Sequence, residues 1–242
     1  MEVCVDSVES AVNAVEGGAA RLELCSSLSE GGLTPTPGLL RAVSTAINEA
    51  VPIFCMLRVR GGNDFVYSKE EVEAMKFDAI VLKDSGKVDG FVFGALTPSG
   101  DLDVDACHTI LQVTNPLPVT FHRAIDVCRD PLLAVSIAAD LGFKRILTSG
   151  QEESALKGVN LIKKMVEEAD GQISIMVGAG VTKDNIAFIL EQTGAKEYHG
   201  SARSSVKPTV DSNKLCMGKI SPVTDPEQVA QTIRAAEKVL SQ

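Results

Sequence analysis

The strongest constraint in this sequence is a repeated pattern: a short β-branched or aromatic run, then an amphipathic stretch, from one end to the other. The runs at residues 2–5, 21–25, 53–57, 90–93, 119–122, 145–148, 173–177 and 197–199 predict eight strands. Between and after them, helical spacing predicts helices over 7–16, 37–50, 68–82, 103–113, 131–141, 154–169, 183–192 and 226–240. Asp130 before Pro131, and Thr182 before Lys183 and Asp184, are suitable helix starts. Strand starts recur about every 28 residues, the length of one strand, loop and helix unit. Eight such units predict a closed parallel α/β barrel of the (β/α)8 (TIM) type. An open doubly wound sheet would more often carry a Gly-rich turn after its first strand, where this chain has Val5-Asp6-Ser7. No linker divides the 242 residues, so residues 1–242 read as one domain with an extended loop at about 204–225 before the last helix.

Charge narrows the function classes. The formal net charge is −9 and the pI about 4.9, so duplex nucleic acid and anionic membrane surfaces are repelled on average and disfavoured as partners. The longest apolar runs, such as 51–57, fall far short of the roughly 20 residues that cross a bilayer. No secretory leader pattern is read at the start, and the cytosol is the expected address. The six cysteines include no C-x-x-C pair and are read as reduced thiols, available as ligands or nucleophiles.

Strand alternation sorts side chains between the two barrel faces. Val3, Val5, Leu22 and Leu24 suit the outer, helix-covered face, which turns Glu2, Cys4 and Asp6, and Arg21, Glu23 and Cys25, inward. Arg58, Arg60, His122, His199 and Ser201 fall at or just past the C-terminal strand ends, where barrel enzymes place their chemistry. These charges either neutralise one another structurally or form a site. Both accounts require partners for Glu2 and Glu23, because unpaired buried charge is costly.

Two groupings carry chemistry. Cys4 and Cys25 stand in echoing segments of neighbouring strands roughly 4.8 Å apart, where two thiolates at similar height could share a soft cation such as Cu(I). A zinc site would need about two more ligands, from distant segments such as His122 or His199. A lone strand cysteine can equally be a small buried hydrophobe. For an anion, Gly178 and Gly180 after the seventh strand, with His199, Ser201 and Arg203 at the eighth, occupy the recurrent phosphate position of such barrels. Arg58 and Arg60 supply a cationic loop after the third strand. Glu23, His122 and Asp126 are the proton-transfer candidates, although Asp126 could simply pair with Arg123.

Several motifs together resemble the CutC copper homeostasis family, most closely its animal members: Glu2-Val-Cys4 with Asp6-Ser7, Arg21-Leu-Glu-Leu-Cys25, Glu30-Gly-Gly-Leu-Thr-Pro35, Arg58 to Gly62 with Asp64-Phe65, Phe93-Gly94-Ala-Leu96, Thr120-Phe-His122-Arg-Ala124 with Asp126, Leu147-Thr-Ser-Gly150 and Ser201-Ala-Arg203. The resemblance implies a barrel that forms homo-oligomers, dimers or tetramers, in the cytoplasm and in animals also the nucleus, with a role in copper handling. It also implies copper ligation by first- and second-strand cysteines, here Cys4 and Cys25. Three departures stand out: Val59 where the family usually has proline, Asn63 inserted before Asp64, and Gly200 where relatives often carry a larger residue.

Two functions remain open from the sequence. One is a Cu(I)-binding protein of copper homeostasis with Cys4 and Cys25 as ligands. The other is a barrel enzyme, a lyase or isomerase, acting on a small anionic or phosphorylated substrate.

Overall fold

The computed structural model of the protein describes residues 1–204 and 222–241. Eight parallel strands close into one barrel: β1 (Glu2–Val5), β2 (Arg21–Leu24), β3 (Ile53–Met56), β4 (Gly90–Phe93), β5 (Val119–Phe121), β6 (Arg145–Thr148), β7 (Ser174–Val177) and β8 (Glu197–Gly200), with β8 pairing back onto β1. Helices α1 (Val8–Glu16), α2 (Pro37–Ala46), α3 (Lys69–Asp84), α4 (Val104–Thr114), α5 (Pro131–Leu141), α6 (Val159–Ala169), α7 (Ile186–Thr193) and α8 (Pro226–Leu240) follow the strands in turn. The expected (β/α)8 barrel is therefore the fold. Among the described residues no helix is long and apolar enough to cross a membrane.

The outward side chains of the strands pack beneath the helices. Phe91, Phe93 and Phe121 are fully buried there, and each such side chain contributes about 1.5–3 kcal/mol by leaving water. Cys55, Cys107 and Cys128 belong to this layer, as small apolar side chains. The barrel interior holds a second, much smaller apolar cluster of Cys25, Phe54, Met56 and Val92.

Beneath that cluster, the N-terminal end of the barrel is closed by charge. The guanidinium groups of Arg21 and Arg145 both lie against the Phe54 ring, 5.1 and 5.2 Å from its centroid. Glu197 pairs with both arginines, at 2.8 and 3.1 Å, and accepts from Ser174 Oγ at 2.7 Å. Glu2 also pairs with Arg21. A Cβ on Gly90 would lie 2.5 Å from the Phe54 ring, so only glycine leaves room for this plug.

The structure corrects some element ends. The predicted start at Thr182 is displaced: α7 begins at Ile186, because Asn185 turns its side chain back to accept from Thr182 N at 2.9 Å. The helix predicted from 154 begins at Val159, after Gly158 packs so closely that a Cβ there would sit 1.9 Å from the Ser149 carbonyl oxygen. Helix α2 stops at Ala46, and the chain then turns through positive φ at Asn48 and Glu49. Asp130 caps α5 as expected, accepting from Leu133 N. Most of the loop expected at 204–225 lies outside the described residues. Its two ends pair as antiparallel β9 (Arg203–Ser204) and β10 (Val223–Thr224).

Candidate functional site

At the opposite, C-terminal end the interior opens into a chamber of about 150 Å³. Its walls include Cys4, Glu23, His199, Arg58 and His122, with Leu28, Met56, Phe65 and Leu147 as apolar filling. A wider polar cleft of about 540 Å³ lies outside it and shares Gly31, Arg58, Phe65 and Arg123 with the chamber.

Register decides which first- and second-strand residues meet. Cys4 pairs with Glu23, and Glu2 pairs with both Arg21 and His199. Cys25 stands one inward position further on, just past the end of β2, so the two cysteines are not at the same height as the echoing segments suggested. Staggering of strands on barrel closure is the cause, and local sequence does not encode it. The chelating geometry that results is Cys4, Glu23 and His199: one donor atom from each lies within 4.8 Å of the others, and all three residues are buried. Cys25 adjoins this set, its thiol donating to Glu23 Oε1 at 3.6 Å. His199, one of the two histidines considered as a further ligand, belongs to the cluster. His122 lies elsewhere on the chamber wall.

The electrostatics follow from this packing. Burial opposes ionisation of Glu2, yet hydrogen bonding to His199 at 2.8 Å and the charges of His199 and Arg21 hold its carboxyl down at about 2. Burial pushes Glu23 up to about 7 against the opposing pull of His199, whose Nε2 is 3.9 Å away. Burial also works against the charged form of His199, but neighbouring Cys4 and Glu23, and the bond to Glu2, hold its pKa well above the ordinary histidine value. The Cys25 thiol is pushed far up, by burial and then by the Glu23 charge. Glu2 therefore fixes His199 through Nδ1 and leaves Nε2 facing Glu23, the way an outer carboxylate orients a metal-binding histidine.

The remaining sequence candidates separate. Arg58 is 4% exposed, forms no ion pair among the described residues, donates to the carbonyls of Glu30, Gly32 and Gly62, and lies over the Phe65 ring at 5.1 Å. Arg60 instead stands at the rim, paired with Asp64 and Glu71. His122 is 3% exposed and its pKa is driven down to about 3 by burial and by the charge of Arg58. Its Nδ1 accepts from Ala124 N at 3.2 Å. Asp126 accepts from Arg123 Nε, Thr148 Oγ1, Ser149 N and Ser149 Oγ, which makes it a clamp for the end of β6. Gly178 N donates to Thr148 O at 2.9 Å, Gly180 takes a positive φ, and Ser201 O accepts from Thr224 Oγ1. Arg203 is neutralised by Asp6, which also accepts from Leu28 N at 3.1 Å.

Sequence reasoning missed Phe65, Met56, Leu28 and Leu147 as chamber walls. An aromatic directly after the Gly61-Gly62-Asn63-Asp64 loop segment was the available signal. It also left the Glu30-Gly31-Gly32 motif without a role. A Cβ at Gly31 would lie 2.8 Å from Arg58 Nη1 and one at Gly32 3.0 Å from Cys25 Sγ, and both positions take φ above +80°, so two glycines let this loop close over the site.

Comparison with known proteins supplies the identity. The family model described as the CutC family matches residues 1–204. This chain belongs to the CutC family. Among its relatives, the human copper homeostasis protein cutC homolog is 53% identical over 205 residues, covering 85% of this chain and 74% of the human protein. The Caenorhabditis elegans homolog of the same name is 48% identical over 90% of this chain and 86% of its own length. The crystal structure of CutC from Streptococcus agalactiae superposes with a TM-score of 0.78 at 34% identity, covering 83% of this chain and 97% of that protein. A thiamine phosphate pyrophosphorylase from Pyrococcus furiosus, at 16% identity and TM-score 0.61, shares the barrel fold alone.

Proposed function

We propose that this CutC-family chain serves copper homeostasis by holding Cu(I) inside the barrel mouth. The observation that carries the reading is the buried convergence of Cys4, Glu23 and His199 donors within 4.8 Å, with the Cys25 thiol against Glu23. Soft sulfur selects Cu(I) over harder divalent ions, and an imidazole is compatible with it. Cys4 is the anchoring thiolate, and Cys25 becomes the second sulfur when Glu23 releases it. His199 supplies Nε2 on the other side, oriented by Glu2. Ligation displaces protons from these groups, so uptake is pH-dependent. The names of the human and worm relatives agree with this reading. The cytoplasmic and nuclear setting and the homo-oligomer implied by family resemblance belong to the same proposal. Phe77, 66% exposed on α3, offers a surface for self-association that size-exclusion chromatography with light scattering would test through Phe77→Ser.

The test is anaerobic Cu(I) titration of the reduced protein against a competing chelator. One Cu(I) per chain is expected, with Cys4→Ser and Cys25→Ser each weakening binding by at least tenfold, and His199→Gln by about tenfold. Binding indifferent to Cys4→Ser sinks the proposal.

A further inference from the structure

Three residues that line the chamber each carry a buried polar atom that no protein group satisfies: Arg58 Nε, His122 Nε2 and Glu23 Oε2. Their chemistry is definite. His122 accepts through Nδ1 from Ala124 N, so its neutral ring carries the proton on Nε2, which is a donor. Arg58 Nε–H is a second donor, on a buried guanidinium that forms no ion pair among the described residues. Glu23 Oε2 accepts when the carboxyl is ionised and donates when it is protonated, and a hydroxyl answers either form. Unmet buried groups of this kind cost free energy, and they persist where a ligand completes them. Two donors beside an uncompensated cation call for a carboxylate, and the Glu23 oxygen calls for a hydroxyl. An ammonium would face Arg58, Arg123 and His199 around the same chamber, so the neutral donor is favoured. Phosphate has more oxygens than the two free donors serve, and much of the remaining wall is Leu28, Met56, Phe65 and Leu147. A cavity of about 150 Å³ accommodates a ligand of about six non-hydrogen atoms.

We propose that the mouth chamber binds a small 2-hydroxy carboxylate, with its carboxylate on Arg58 Nε–H and His122 Nε2–H and its hydroxyl hydrogen-bonded to Glu23 Oε2. This goes beyond copper binding, shares only Glu23 with it, and gives the enzyme alternative raised by the sequence a definite ligand class.

The test is calorimetric titration of chelator-treated full-length protein with L-lactate, propionate and inorganic phosphate. L-Lactate is expected to bind once per chain. Propionate, lacking the hydroxyl, is expected to bind at least tenfold more weakly, because a site built to bond a hydroxyl rejects the analogue without it. Phosphate is expected to bind more weakly than lactate. His122→Leu should weaken lactate at least tenfold, whereas His122→Gln, which restores an N–H donor, should stay within about threefold. Arg58 is left intact because it also holds the loop carbonyls of Glu30, Gly32 and Gly62. Circular dichroism checks that each variant is folded. No saturable lactate binding by folded wild type, equal affinity for lactate and propionate, tighter binding of phosphate, or a folded His122→Leu that binds lactate like wild type would each overturn the proposal.

Discussion

The two ends of the barrel interior handle buried charge in opposite ways. At the N-terminal end, Arg21 and Arg145 both pack against Phe54, and Glu197 answers both. At the C-terminal end, Arg58 has no carboxylate partner among the described residues, and Glu23, His122 and Arg58 each keep an unsatisfied atom. Both ends are built from the same inward strand positions, so strand geometry does not explain the difference. A network complete in itself holds the fold, while one left incomplete is available to something that is not protein. Glu2 joins the two, bonding Arg21 below and His199 above.

Breaking the closed end should have the largest effect on stability. Glu197→Ala removes the ion-pair partner of Arg145 and one of the two partners of Arg21. Loss of about 3 kcal/mol is expected, the low end for a broken buried pair because Glu197 retains some exposure. Urea denaturation measures it, and Cu(I) affinity should be unchanged. A fall in Cu(I) affinity as large as that of Cys4→Ser would erase the distinction between the ends.

Acid should act next, at the open end. The folded pKa of His122 is about 3, below the unfolded value near 6.5, so below pH 6.5 the unfolded chain takes up a proton that the native site refuses. The contribution of His122 is thus present above pH 6.5 and lost progressively as pH falls toward 3. Glu2, held down at about 2, contributes stability above its unfolded pKa near 4.5 and loses it below. Glu23, raised to about 7 in the fold, takes up a native proton over the same upper window and offsets the His122 loss, so His122→Gln should make stability rise on acidification between pH 6.5 and 4.5 and leave the loss below it. A pH profile that His122→Gln leaves unchanged in that upper window contradicts a buried neutral His122.

The smallest effect is also the one with the opposite sign. Glu23→Gln removes a buried carboxylate whose Oε2 has no partner, so stability should stay level or rise by about 1 kcal/mol while Cu(I) affinity falls. A loss of several kcal/mol would assign Glu23 to the structural network instead.

Much of the fold was legible because a strand records its two faces in alternate residues. Glu2, Cys4, Arg21, Glu23 and Cys25 all face inward as alternation requires. What alternation omits is relative height, which is set when eight strands close together; the partner of Cys4 is therefore Glu23, and Cys25 stands a step further along. The Arg21, Phe54, Arg145 and Glu197 plug was hidden for the same reason, since its members come from β2, β3, β6 and β8. His122 and Arg58 were legible as polar residues at strand ends, but their orphaned atoms emerge only from packing. Arg60, one residue beyond the next outward position, carries the same charge and spends it on Glu71 at the rim.

The central claim is that the open end is a ligand site whose metal-facing groups are Cys4, Cys25 and His199. Copper K-edge X-ray absorption on the anaerobically loaded, reduced protein tests it most directly. A coordination shell of sulfur with an imidazole contribution, the sulfur diminished in Cys4→Ser and the imidazole signature lost in His199→Gln, is the predicted result. A shell of nitrogen and oxygen alone, or one unchanged by both substitutions, would place copper elsewhere on the chain and contradict the account.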